Sequence, residues 1–252
     1  MRAARALLTA ILLLGLGGNP SWSSNGCGAP GYFMHGDSLL ERVRDVAAAT
    51  GQLKIVVFGT ASSTLGGANG ARDAYPARLE AALRESLPGI TVNVSVHARP
   101  RQVAEKMIKT FNKIVEEEKP SLVIWQTGTF DAIQGVSPRE FLASLTEGVE
   151  TLKGAGIDVI LVNMQYNPRT EGVVAVEAYS ENMRWVARER QVPLFDRLGI
   201  MRYWNEAGII NLHSASRDLG VAKRVHECLG RALAALIIDA GRLSGLAKRE
   251  SQ

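Results

Sequence analysis

Leu53-Lys54-Ile55-Val56-Val57-Phe58 runs directly into Gly59-Thr60-Ala61-Ser62-Ser63-Thr64-Leu65-Gly66-Gly67 and then into the amphipathic stretch 71–86. A short, β-branched, nearly continuous apolar run reads as a strand buried on both faces. After the small, hydroxyl-rich turn, Tyr75, Leu79, Leu83 and Leu87 recur at four-residue steps and mark one apolar helical face. The same unit repeats down the chain. Apolar runs stand at 90–94, 122–125, 157–162 and 192–195, and amphipathic stretches at 102–118, 138–153, 174–189 and 221–242. Such alternation builds βαβ units, so the sequence predicts an α/β fold: a three-layer αβα sandwich around a central, parallel, five-stranded sheet.

The 252 residues are 46% hydrophobic and 21% charged, which excludes a disordered chain, a collagen-like one and a polytopic membrane protein. Arg2 and Arg5 precede the apolar run 7–16, which is shorter than the roughly 20 residues a bilayer span needs. Ser21-Trp22-Ser23 follows as a small-x-small cleavage site, and the segment reads as a signal peptide over 1–23. An extension with a lead-in helix is expected over 24–52, the main α/β domain over 53–245 and a tail over 246–252. The expected location is periplasmic or secreted. Cleavage would remove two arginines and no acid from a net charge of +4, a balance too weak to argue for nucleic acid. Cys27 and Cys228 are the two cysteines. In an oxidising compartment they are expected to pair, a closure worth on the order of 4 kcal/mol in the chain-entropy model; two free thiols are the alternative.

In a sheet of this kind ligands bind beyond the carboxyl ends of the strands. The loops to read are therefore those after Phe58, Val94, Trp125 and Val162, and the segment before the last helix. Gly59–Gly67 lacks the lysine of a phosphate-binding P-loop and does not match GxGxxG, so nucleotide binding is weakly supported.

Several of these segments together resemble the SGNH/GDSL hydrolase superfamily, over about 55–240. Thr60-Ala61-Ser62-Ser63-Thr64-Leu65-Gly66 resembles its G-D-S-x-T-x-G block, and Asp73-Ala74-Tyr75-Pro76-Ala77-Arg78-Leu79 the Y-P-x-x-L start of the following helix. Leu122-Val123-Ile124-Trp125-Gln126-Thr127-Gly128-Thr129 is similar to the strand that normally continues into Asn-Asp. Met201-Arg202-Tyr203-Trp204, Gly208 and Leu212-His213 are similar to the run into the D-x-x-H block. The resemblance implies a flavodoxin-like fold and a serine that attacks an ester carbonyl. It also implies a histidine base, an orienting aspartate, and an oxyanion hole made by the serine N–H, a glycine N–H and an asparagine side chain.

Carried over by position, Ser62 is the nucleophile and, with Ala98 in the glycine's place, an oxyanion donor. His213 is the base and Asp218, the one acid between the candidate histidines, its partner; aligning from Cys228 instead makes His226 the alternative base, with Lys223 three residues before it. Thr64, Gly66, Phe130 and Asp131 are the expected ligand-contact positions. The chain departs from the pattern at Thr60, Ala61 and Ala98, at Phe130 where the asparagine belongs, and at Ile210 where the aspartate belongs. A lost oxyanion donor costs roughly 100- to 1,000-fold in turnover and a lost orienting acid up to about 10,000-fold, non-additively. His97 and the Arg99-Pro100-Arg101 stretch are expected near the pocket mouth or on a solvated turn, His35 on the surface, and Trp125 and Trp204 in the core or pocket wall.

Two functions fit. One is an exported serine ester hydrolase acting on small acyl or acetyl esters or an acylated carbohydrate such as a surface polysaccharide, with acyl transfer as a variant. The other is a catalytically impaired periplasmic binding or assembly module, favoured by the apolar Phe130 and Ile210. Neither requires a metal ion or an organic cofactor. The expected partner is a small ester or acylated carbohydrate, with no nucleic acid and no membrane after signal cleavage; the oligomeric state is open.

Overall fold

The computed structural model describes residues 27–35, 38–169, 171–213 and 219–246. The expected signal segment, Asp218 and most of the expected tail lie outside them. The strands are β1 (Met34–His35), β2 (Gln52–Gly59), β3 (Thr91–Ala98), β4 (Leu122–Gln126), β5 (Asp158–Val162) and β6 (Leu194–Phe195). They form one sheet in the order β1-β6-β5-β4-β2-β3. Strands β2 to β6 pair in parallel, as the alternation requires. The antiparallel β1 was not expected. Two residues carry no readable period, and Met34 and His35 are recruited by the edge of β6.

The helices are α1 (Glu41–Thr50), α2 (Gly70–Asp73), α3 (Tyr75–Ser86), α4 (Ala104–Glu118), α5 (Thr129–Ile133), α6 (Pro138–Gly154), α7 (Glu177–Glu189), α8 (Arg197–Glu206) and α9 (Leu219–Ala240). α4, α6 and α7 pack in succession on one face, while α3 packs against α9 on the other. Every residue of β4 is buried, which explains its unbroken apolar sequence.

Helix starts show how local chemistry places these elements. Ser137 caps α6 and exchanges hydrogen bonds with Glu140, a capping box followed by Pro138 at the first helical position. α1 has no side-chain cap of its own, and the Asp158 carboxylate of β5 accepts the Val43 N–H at 2.9 Å instead. Burial raises the pKa of that carboxyl. Cys27 and Cys228 form a disulfide with Cα atoms 5.4 Å apart, tying the segment before β1 to the middle of α9.

The chain leaves β2 for α3 and β3 on one side and later leaves β4 for α6 on the other. The carboxyl ends of β2 and β4 therefore flank a topological switch point, where an open α/β sheet forms a crevice.

Candidate functional site

Ser62 stands at that crevice, on a single 3-10 turn (Ala61–Ser63) directly after β2. The turn folds back tightly because residue 59 has no side chain. A Cβ on Gly59 would lie 2.0 Å from the Ser63 Oγ. That space lets the buried Ser63 hydroxyl donate to Gln126 Oε1, the last residue of β4, and meet the Tyr75 hydroxyl at 3.3 Å.

Gln126 organises the site. Its Oε1 also accepts from Arg197 Nη1 at 3.2 Å, so a guanidinium, which only donates, fixes which end of the amide is the oxygen. Nε2 then donates to Thr60 Oγ1 and to Ser62 Oγ, both at 3.0 Å. Arg197 Nη1 also reaches Ser62 Oγ at 3.3 Å. The Ser62 oxygen thus lies between two donors.

Arg197 is the first residue of α8 and is 1% exposed. Asp196 caps that helix by accepting the Gly199 N–H, and Asn163 at the end of β5 grips both Asp196 and the Leu198 N–H, holding the backbone around the arginine. Burial lowers the Arg197 pKa to about 10, so the group is still charged at neutral pH. Its Nε and Nη2 atoms are buried without hydrogen-bond partners among the described residues.

A cavity of about 380 Å³ opens above Ser62. Ala61, Thr64 and Leu65 form one side and Gln165 to Arg169 the other. Met201 of α8, Leu212, and Ala222, Val225 and His226 of α9 complete the wall. His226 accepts the Tyr75 backbone N–H on Nδ1 at 2.9 Å and lies roughly parallel to the Tyr75 ring. It is 8% exposed, and burial, aided by the Arg197 charge, lowers its pKa to about 4. The ring is therefore neutral near pH 7. Because Nδ1 accepts, the proton sits on Nε2. A relay histidine needs the opposite tautomer, with Nδ1–H held by an acceptor and Nε2 free to take the serine proton.

The other expected residues are dispersed. His213 is exposed; its N–H bonds to Asn211 and its carbonyl accepts from Arg169. Ala98 ends β3 and lies off the cavity wall, as do the exposed Gly66 and the half-buried Phe130. The buried Asp131 carboxylate accepts from the Ala104 and Gly128 N–H groups and the Thr127 hydroxyl, joining α5 to α4, and burial raises its pKa. Ile210 is buried, and Lys223 forms an ion pair with Asp73. His97 pairs with Glu118 beside Phe58, away from the cavity. Trp125 and Trp204 are fully buried. Among the described residues, no group of three His, Cys, Asp or Glu side chains is placed to hold a metal ion.

Sequence reasoning missed Arg197, Gln126, Ser63 and Asn163. Gln126 carried a signal, a polar residue closing a wholly apolar strand. Arg197 carried none, since an arginine at a helix start is ordinary.

The parallel sheet, the serine turn after β2 and the helix-lined crevice define a member of the SGNH/GDSL hydrolase superfamily, an esterase- and lipase-like hydrolase fold. Within it, the chain belongs to the Non-GDSL lipase-like family, whose model matches residues 26–243. Similar solved structures include TesA, at 20% identity and a TM-score of 0.58, covering 73% of this chain and 99% of that one. An Axe2 variant, an acetyl xylan esterase from Geobacillus stearothermophilus, is 17% identical with a TM-score of 0.61, covering 73% and 94%. A lipase/acylhydrolase from Enterococcus faecalis is 20% identical with a TM-score of 0.54, covering 71% and 96%. No curated protein matches.

Proposed function

We propose that the chain is an exported ligand-binding member of this hydrolase family, which keeps the crevice over Ser62 and has lost the proton relay. One observation carries the reading: His226, the histidine on the wall of the Ser62 cavity, spends Nδ1 on a backbone N–H and so has no lone pair on Nε2 with which to take the serine proton. Arg197 cannot serve instead, because a guanidinium with a pKa of about 10 is already protonated at neutral pH. Among the described residues no base stands beside Ser62, and a serine with only donors around it remains a weak nucleophile. The Cys27–Cys228 disulfide supports an oxidising compartment, and with it export.

A second reading is favoured by the 3.3 Å approach of Arg197 to Ser62 Oγ. A buried cation there stabilises an alkoxide, and with it slow hydrolysis or transfer of a small acyl ester, including one carried on a carbohydrate. Fluorophosphonate labelling, read by intact mass on the mature protein and on Ser62→Ala, separates the two. The binding reading expects neither protein to be labelled while both remain folded. Labelling of the wild type alone would show an activated serine and establish the hydrolytic reading.

A further inference from the structure

Two polar groups on the cavity wall, Ser62 and His226, present donors, whereas Thr64 spends its hydrogen on the Ala61 carbonyl. Ser62 Oγ accepts from Gln126 and from Arg197, so what its hydroxyl offers outward is its own hydrogen. His226 spends Nδ1 on Tyr75, which leaves Nε2–H as its free group. Among the described residues no aspartate or glutamate stands on the wall, and Arg169 adds a second guanidinium at its edge. Beneath Ser62 lies Arg197, 1% exposed, whose Nη1 donates to uncharged oxygens of Ser62 and Gln126 and whose Nε and Nη2 have no hydrogen-bond partner among the described residues. A buried cation without a counter-charge is costly to fold around and is answered by an anion. The remainder of the wall includes Leu65, Met201, Leu212 and Val225, an apolar surface continuous with the polar end.

We propose that the cavity binds an aliphatic carboxylate. Its head group would accept from Ser62 and His226 over the Arg197 charge, and its chain would lie against the apolar wall. This deepens the binding reading and rests on it. A neutral ester carbonyl fills the same space but brings no charge to answer Arg197. The donor set therefore favours the free acid over its ester.

The test is isothermal titration of the mature, disulfide-bonded protein with octanoate, octan-1-ol and methyl octanoate at neutral pH. Octanoate is expected to bind at least tenfold more tightly than the alcohol. In Arg197→Met, that ratio is expected to fall to about one while alcohol binding persists. Should that variant fail to fold, the wild-type comparison decides alone. Equal affinity for acid and alcohol would overturn the proposal, as would absence of binding by octanoate. Displacement of octanoate by inorganic phosphate at equal concentration would overturn the carboxylate assignment. Turnover of methyl octanoate lost in Ser62→Ala would instead overturn the binding reading, an outcome distinct from the head-group preference.

Discussion

Acidification isolates the histidine on which the functional reading depends. In the folded protein His226 has its pKa lowered to about 4, from 6.5, by burial and by the charge of Arg197. Between those values the unfolded chain binds a proton that the folded chain refuses. Stability therefore rises with pH across this window: the full contribution is present above about 6.5 and is lost as the pH falls towards 4. A depression of that size corresponds to about 3 kcal/mol. Asp131 and Asp158 act in the opposite sense, because burial raises their pKa values and protonation relieves them. Their effect must therefore be subtracted. The appropriate control is His226→Gln, whose side-chain oxygen can still accept the Tyr75 N–H. Urea unfolding of both proteins at pH 7 and pH 4 should show the wild type losing about 3 kcal/mol more than the variant. Long-range proton–nitrogen NMR on the imidazole should find the hydrogen on Nε2 at pH 7. Equal pH dependence in the two proteins would refute the burial argument. A hydrogen on Nδ1 would refute the tautomer, restore a free lone pair to Nε2 and return the relay to Ser62.

Two further outcomes follow from packing and cross-linking. Gly59→Ala places a methyl group 2.0 Å from the Ser63 Oγ, so the serine turn must shift; a loss of about 1–3 kcal/mol in urea unfolding is expected, together with weaker octanoate binding, and unchanged stability would show that the turn is not held by that contact. Reduction of Cys27–Cys228, or Cys27→Ser, opens a loop spanning 201 residues; it should lower unfolding free energy by on the order of 5 kcal/mol in the chain-entropy model, read from urea unfolding with midpoint and slope both fitted.

The parallel strands and the large helices were legible because each buries a face, and burial writes its period into the sequence. β2 and β4 are apolar runs for that reason. The short elements were not legible. β1 is formed by pairing with β6 rather than by propensity, and α5 follows a Gly128 held at φ +100°, where an added Cβ would strike Met164. α8 was foreseen only as a family-like run, and its first residue, Arg197, had no chemical reading until the fold placed it under Ser62.

The same distinction explains why the site was only partly readable. Ser62 could be placed from its neighbours in sequence, because a turn after a strand is local. His213 was the expected base because Leu212-His213 resembles the end of the family's D-x-x-H block, yet it is exposed, while His226 reaches the cavity because α9 packs on α3. That packing also fixes its chemistry. Tyr75 is the first residue of α3, where backbone N–H groups lack intrahelical acceptors, and His226 satisfies one of them. An imidazole recruited to cap a helix gives up the lone pair that would have held it as an acceptor elsewhere. The contact that positions His226 beside the cavity is thus the one that disqualifies it as a base, leaving a cavity end of donors over a buried cation.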